Sequence, residues 1–162
     1  MKNKLVLLLL SSSLLSTFAH AQASIRWMDF EQLEDSLAIA PKAIFIDFYT
    51  DWCSYCKKMD KEVFTKPEVV QWINNEVYAV RMDAESRDNI YFDGRWWKNR
   101  QATAKREGFH ELALLLGSRQ GEFVPPVFLL LDEQFTVIDR KFQYLSSEKL
   151  MAWLRKELVN NP

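Results

Sequence analysis

Apolar side chains recur along this chain in two rhythms, and each change of rhythm marks a new element. From Asp29 they fall at Phe30, Leu33, Leu37 and Ala40, a spacing that predicts an amphipathic helix ended by Pro41. Ala43 to Tyr49 is an almost unbroken apolar run, expected of a strand buried on both faces, with one acid, Asp47, inside it. Helical spacing returns from Ser54 to Phe64, where Met59 and Val63 share a face. Thr65 can cap a further helix, with Pro67 in its first turn and Val69, Val70, Trp72 and Ile73 facing inward. Val77 to Met82 is a short strand of β-formers. Ahead of all these, Gln22 to Trp27 is expected to supply a short edge strand or an extended arm.

The second half starts with a hairpin, since Ile90–Phe92 and Arg95–Trp97 flank the turn pair Asp93-Gly94. Its aromatic side chains, Tyr91 to Trp97, are expected to pack over the sheet edge in preference to forming a surface for a partner. Lys98 to Glu107 reads as a solvated helical face, and Phe109 to Leu116 as a helix closed by Gly117. Beyond the loop Phe123-Val124-Pro125-Pro126 lie a strand, Val127 to Leu131, a turn at Asp132–Gln134 and an antiparallel partner, Phe135 to Phe142. Ser146 or Ser147 then caps a last helix carrying Leu150, Trp153, Leu154 and Leu158. With no repeat, low-complexity tract or second domain, the element order predicts an α/β sandwich with a mixed sheet.

Composition agrees with one packed domain: 162 residues, 48% hydrophobic and 14% aromatic, can build a sizeable core. The first 21 residues differ from the rest. Lys2 and Lys4 precede an apolar stretch from Leu5 to Leu15 and the small-residue site Ala19-His20-Ala21, a pattern expected of a signal peptide cleaved near Ala21. The apolar run is short for a membrane span. Residues 22–162 then hold 19 basic and 22 acidic side chains, a formal charge of −3, with no basic patch dense enough for nucleic acid.

Cysteine usage is the most informative feature. An exported chain would ordinarily carry disulfides between distant segments, yet this one has two cysteines, Cys53 and Cys56, three positions apart. Closing so small a loop removes little entropy from the unfolded chain, so chemistry explains the pair better than stability does. Cys53 falls at a predicted helix N-terminus, where unpaired N–H groups favour a thiolate; it is the expected nucleophile, exposed beside Trp52. Cys56, one turn later and nearer the core, is the expected resolving thiol. Asp47 is the candidate acceptor for the Cys56 proton; burial would raise its pKa, while Arg81 or Lys57 would lower it.

The segment Phe48-Tyr-Thr-Asp-Trp52-Cys53-Ser-Tyr-Cys56-Lys57 resembles the active-site stretch of the thioredoxin superfamily, and the resemblance covers nearly all of residues 22–162. Asp47 stands six residues before the first cysteine, as the buried acid of that family does, and Arg81 stands where its members often have lysine. The residues after the motif are more similar to exported thioredoxin-like proteins and to the C-terminal domains of thiol-disulfide interchange proteins. The resemblance implies a three-layer sandwich with helices on both faces of a central mixed sheet. It also implies a cis-proline, which counting back from Asp132 places at Pro126 rather than Pro125.

By the same resemblance, Trp52, Ser54, Tyr55, Val124 and Pro125 would line the substrate groove opposite Cys53. Two departures stand out: Ser54-Tyr55 is neither the Gly-Pro nor the Pro-His dipeptide of familiar members, and Pro125 replaces a residue with an N–H. The expected activity is exported, periplasmic thiol-disulfide exchange with protein substrates, by a monomer without a cofactor beyond its own disulfide. A reductase would also need a membrane electron donor. Two rivals are a peptide-binding or chaperone module using Tyr91–Trp97 with non-essential thiols, and a metal relay, weakened because His110 is the single imidazole after residue 21.

Overall fold

The computed structural model describes residues 24–102 and 108–161. The expected signal peptide and half of the Lys98–Glu107 stretch, residues 103–107, lie outside those residues. In chain order the elements are β1 (Trp27–Met28), α1 (Phe30–Ile39), β2 (Ile44–Tyr49), α2 (Ser54–Glu62), α3 (Pro67–Glu76), β3 (Tyr78–Asp83), β4 (Ile90–Phe92), β5 (Arg95–Trp97), α4 (Glu111–Gly117), β6 (Val127–Leu131), β7 (Val137–Lys141) and α5 (Ser147–Asn160). Five strands form a mixed sheet in the order β1-β3-β2-β6-β7, with β1, β3 and β2 parallel and β6 and β7 antiparallel to their neighbours. This is a thioredoxin-like fold, with β4 and β5 as a separate hairpin.

Strand alternation sorts the core onto two faces. Phe45, Ala79, Phe128 and Leu130 meet Met59 of α2, Val69, Val70 and Ile73 of α3, and Leu150 and Leu154 of α5. Ile44, Ile46, Phe48, Val80 and Leu129 meet Phe30 and Leu33 of α1, Leu112 of α4, and Phe92 and Trp97 of the hairpin. Asp47 therefore points to the α2 face, as Phe45 does, and the parallel register places Arg81 beside it.

Local chemistry explains most boundaries and four departures from expectation. Asp29 begins α1 in a capping box with Gln32, and Ser146 rather than Ser147 begins α5. Thr65 does not cap α3: its hydroxyl donates back to Lys61 O at 2.8 Å, α2 stops at Glu62, and Lys66 is an N-cap without a side-chain bond. Residues 98–102 are not helical: 100–102 form a turn in which Asn99 Oδ1 accepts the Ala102 N–H. The turn after β6 extends past Gln134, as Asp132 Oδ1 accepts from both Gln134 N and Thr136 N, so β7 starts at Val137.

Gly117 is the last residue of α4 rather than its terminator, and its role is close approach. A Cβ there would stand 2.7 Å from Phe123 Cε2 and 3.3 Å from Val127 Cγ1. Gly117→Ala is expected to lower stability by about 1 kcal/mol, overpacking outweighing the gain in helix propensity. The check is a lower urea midpoint at unchanged m-value.

Candidate active site

The parallel strand β2 ends at Tyr49 and the chain turns at once toward the helix, with Cys53 N–H donating to Thr50 O at 3.1 Å. Cys53 and Cys56 form a disulfide across this turn, their Cα atoms 5.2 Å apart. Cys53 is the N-cap of α2, a position ordinarily held by an oxygen-bearing side chain; its Sγ accepts the Cys56 N–H at 3.0 Å. The helix thus directs one of its orphan donors onto the sulfur that would carry negative charge in a reduced state.

Cys53 is less open than its sequence position suggests. Both cysteines are 3% exposed, because the disulfide turns the Cys53 sulfur inward against the first turn of α2. What surrounds the site is open: Trp52, Tyr55 and Val124 are 57%, 59% and 63% exposed. Ser54 is exposed as well, while Pro125 and Pro126 are buried and the peptide between them is cis. Pro126 lies one residue beyond the Phe48–Val127 pair of β2 and β6, which brings the proline loop to the end of the strand that feeds the cysteine turn. Tyr55 packs near Tyr144, ring centroids 6.3 Å apart, and Tyr144 donates its hydroxyl hydrogen to Glu62 at 3.2 Å.

A row of three charged side chains, Asp47, Arg81 and Asp60, joins the sheet to α2. Asp47 is 2% exposed and its Oδ2 lies 3.2 Å from Arg81 Nε, an ion pair without hydrogen-bond alignment. Arg81 extends its other nitrogen to Asp60, 2.7 Å from Oδ1 and 2.9 Å from Oδ2, and lies over the Tyr49 ring at 4.4 Å. The Asp47 pKa is raised from 3.8 to about 7, burial pushing it up, Arg81 pulling it down and Asp60 raising it. Desolvation prevails over the cation. Lys57 is exposed and has no part in this arrangement among the described residues.

Asp60 was not singled out by sequence, although its place four residues after Cys56 sets both on the inner side of α2. Glu85 also went unrecognised; its Oε2 accepts the Trp52 Nε1–H at 3.0 Å, a contact between segments 33 residues apart with no local signal. His110 lies in another network, its Nδ1 accepting from Leu112 N–H and its Nε2 meeting Asp88 O. The hairpin divides its aromatics: Phe92 and Trp97 are buried, while Trp96 is 59% exposed and pairs with Tyr91.

Comparison with known proteins places this geometry. A family model described as a thioredoxin-like domain matches residues 31–157. The thiol:disulfide interchange protein DsbD of Haemophilus ducreyi is 28% identical over 130 residues, 77% of this chain but 18% of that protein, so the chain spans less than a fifth of its relative. Among solved structures, a DsbH oxidoreductase superposes with TM-score 0.57 at 17% identity over 90% of this chain and 92% of the other. A thioredoxin from Thermus thermophilus does so with TM-score 0.56 at 17% identity, over 84% and 88%. The chain belongs to the thioredoxin-like domain family, with its Cys53–Cys56 disulfide at the start of α2.

Proposed function

We propose that this protein is an exported, periplasmic disulfide reductase or interchange protein that acts on protein substrates. The carrying observation is the Cys53–Cys56 disulfide at the N-terminus of α2, with Cys53 Sγ already receiving a helix N–H. In the reduced protein the Cys53 thiolate attacks a substrate disulfide, forming a mixed disulfide and expelling one substrate thiolate. Cys56 then loses its proton to Asp47 and attacks Cys53 Sγ. The second substrate thiol leaves, the substrate is reduced, and the protein holds the disulfide. An external dithiol, delivered by a membrane donor, must reduce it for the next cycle.

A polypeptide fits this site better than a small thiol does. Trp52, Tyr55 and Val124 make an exposed apolar rim, and Val124 has no backbone hydrogen bond among the described residues, leaving an edge for an extended segment. No helix among the described residues is long and apolar enough to cross a membrane.

The reduction potential tests this reading. Equilibration in dithiothreitol or glutathione buffers, followed by a count of free thiols, is expected to give a value nearer about −270 mV than about −120 mV. A potential at the upper end would make the protein a thiol oxidant. A pair that never exchanges would end the redox reading.

A further inference from the structure

Between β3 and the proline loop, the buried polar groups of the insert converge on one short loop. Asn99, 8% exposed, directs its Nδ2 at three carbonyls: Gly108 O at 2.7 Å, Ser86 O at 2.9 Å and Glu85 O at 3.3 Å. Its Oδ1 accepts from Ala102 N–H at 3.0 Å, so the whole amide is engaged. His110 is fully buried and donates its backbone N–H to Ala84 O at 2.7 Å, while its Nε2 meets Asp88 O at 3.2 Å. Burial holds the His110 imidazole below its ordinary pKa, which keeps it neutral, with Nδ1 as acceptor and Nε2–H as donor. Together Asn99 and His110 take up four of the five carbonyls from Ala84 to Asp88.

That loop carries Glu85, and Glu85 holds the Trp52 indole N–H beside Cys53. An indole 57% exposed has little packing to orient it, so its direction depends on its hydrogen-bond acceptor, and the acceptor's position depends on the loop. We propose that the insert is a clamp: Asn99 and His110 fix the Ala84–Asp88 loop so that Glu85 sets the Trp52 indole at the rim where a protein substrate docks. Glu85 and Asn99 are then positioning residues that act through Trp52. The clamp's effect on substrate rests on the oxidoreductase reading; its effect on Trp52 does not.

Hydrogen exchange of indole N–H groups, followed by NMR on the ¹⁵N-labelled oxidised protein, tests it. Glu85→Ala is expected to speed exchange at Trp52 about tenfold, and Glu85→Gln, which keeps an acceptor oxygen, to stay within about threefold of wild type. Asn99→Ala should speed Trp52 exchange by itself but add nothing in the Glu85→Ala background. The Trp153 indole, bonded to Asp139 at 2.8 Å on the other face of the sheet, reports any global loosening and should not change. Both single variants should raise KM for a protein disulfide about fivefold, with a smaller effect on kcat.

Wild-type exchange at Trp52 in Glu85→Ala overturns the clamp, as does an additive double variant. If Asn99→Ala fails to fold, the Glu85→Ala and Glu85→Gln pair decides. A wild-type protein without turnover would remove the reductase reading while leaving the exchange result standing.

Discussion

Cys53→Ser is expected to eliminate reduction of insulin disulfides, a loss on the order of 10³-fold or more, because the thiol that remains, Cys56, is buried within α2 and lacks the N-cap position that favours a thiolate. Cys56→Ser should instead perform the first attack and stop. With no second thiol to attack Cys53 Sγ, the mixed disulfide with substrate accumulates and is read directly on a non-reducing gel or by mass spectrometry. The assignment of roles rests on position rather than on exposure, which is 3% for both cysteines. Cys53 is the N-cap beside the exposed Trp52, whereas Cys56 faces inward in α2 near Met59. Trapping by Cys53→Ser in place of Cys56→Ser would exchange the two roles, and undiminished turnover in Cys53→Ser would end the nucleophile assignment.

Sequence exposed those parts of this molecule that obey short-range rules. The apolar run through β2, the Asp93-Gly94 turn and the spacing of Leu150, Trp153 and Leu154 each state an element in a few residues. In the hairpin, Asp93 and Gly94 both have positive φ, as that dipeptide predicts. The fold was therefore legible almost throughout, apart from the start of β7, which the Asp132 turn sets, and three other places: Thr65, the 100–102 turn and the role of Gly117. In each of those three a local preference yielded to a contact elsewhere: Thr65 turned back to Lys61, Asn99 to the loop after β3, and Gly117 to the Phe123 ring.

The candidate site was legible where its contacts are local and hidden where they are not. Cys53, Cys56 and Asp47 stand within one strand-turn-helix segment. Arg81 reaches Asp47 through the β2–β3 register, which a strand assignment can supply. The Glu85–Trp52 bond and the Asn99 contacts depend on how an insert folds back on the sheet, and no periodicity encodes that. The balance at Asp47 was similarly open: one strand position cannot state how far burial removes water relative to how near a cation comes. Desolvation decided it.

That outcome makes Asp47→Asn more stable than the wild type and less active. Between pH 3.8 and about 7 the folded protein keeps a proton on Asp47 that the unfolded chain has released, so stability falls as pH rises across that window. The contribution is fully present below about pH 4 and lost by about pH 7. Asparagine cannot ionise. The variant should match the wild type near pH 4, draw ahead as pH rises, and lead by about 2–4 kcal/mol at pH 8, a figure that already includes the attraction of Arg81. Urea denaturation of the oxidised protein at several pH values measures this directly. Activity should move the other way, because the variant has no acceptor for the Cys56 proton; resolution of the mixed disulfide is expected to slow about 100-fold near pH 7. A structural, salt-bridged Asp47 predicts the reverse on both counts, a destabilised variant with ordinary turnover. Gain of stability together with loss of resolution therefore separates a functional acid, held at energetic cost in the core, from one that merely anchors Arg81.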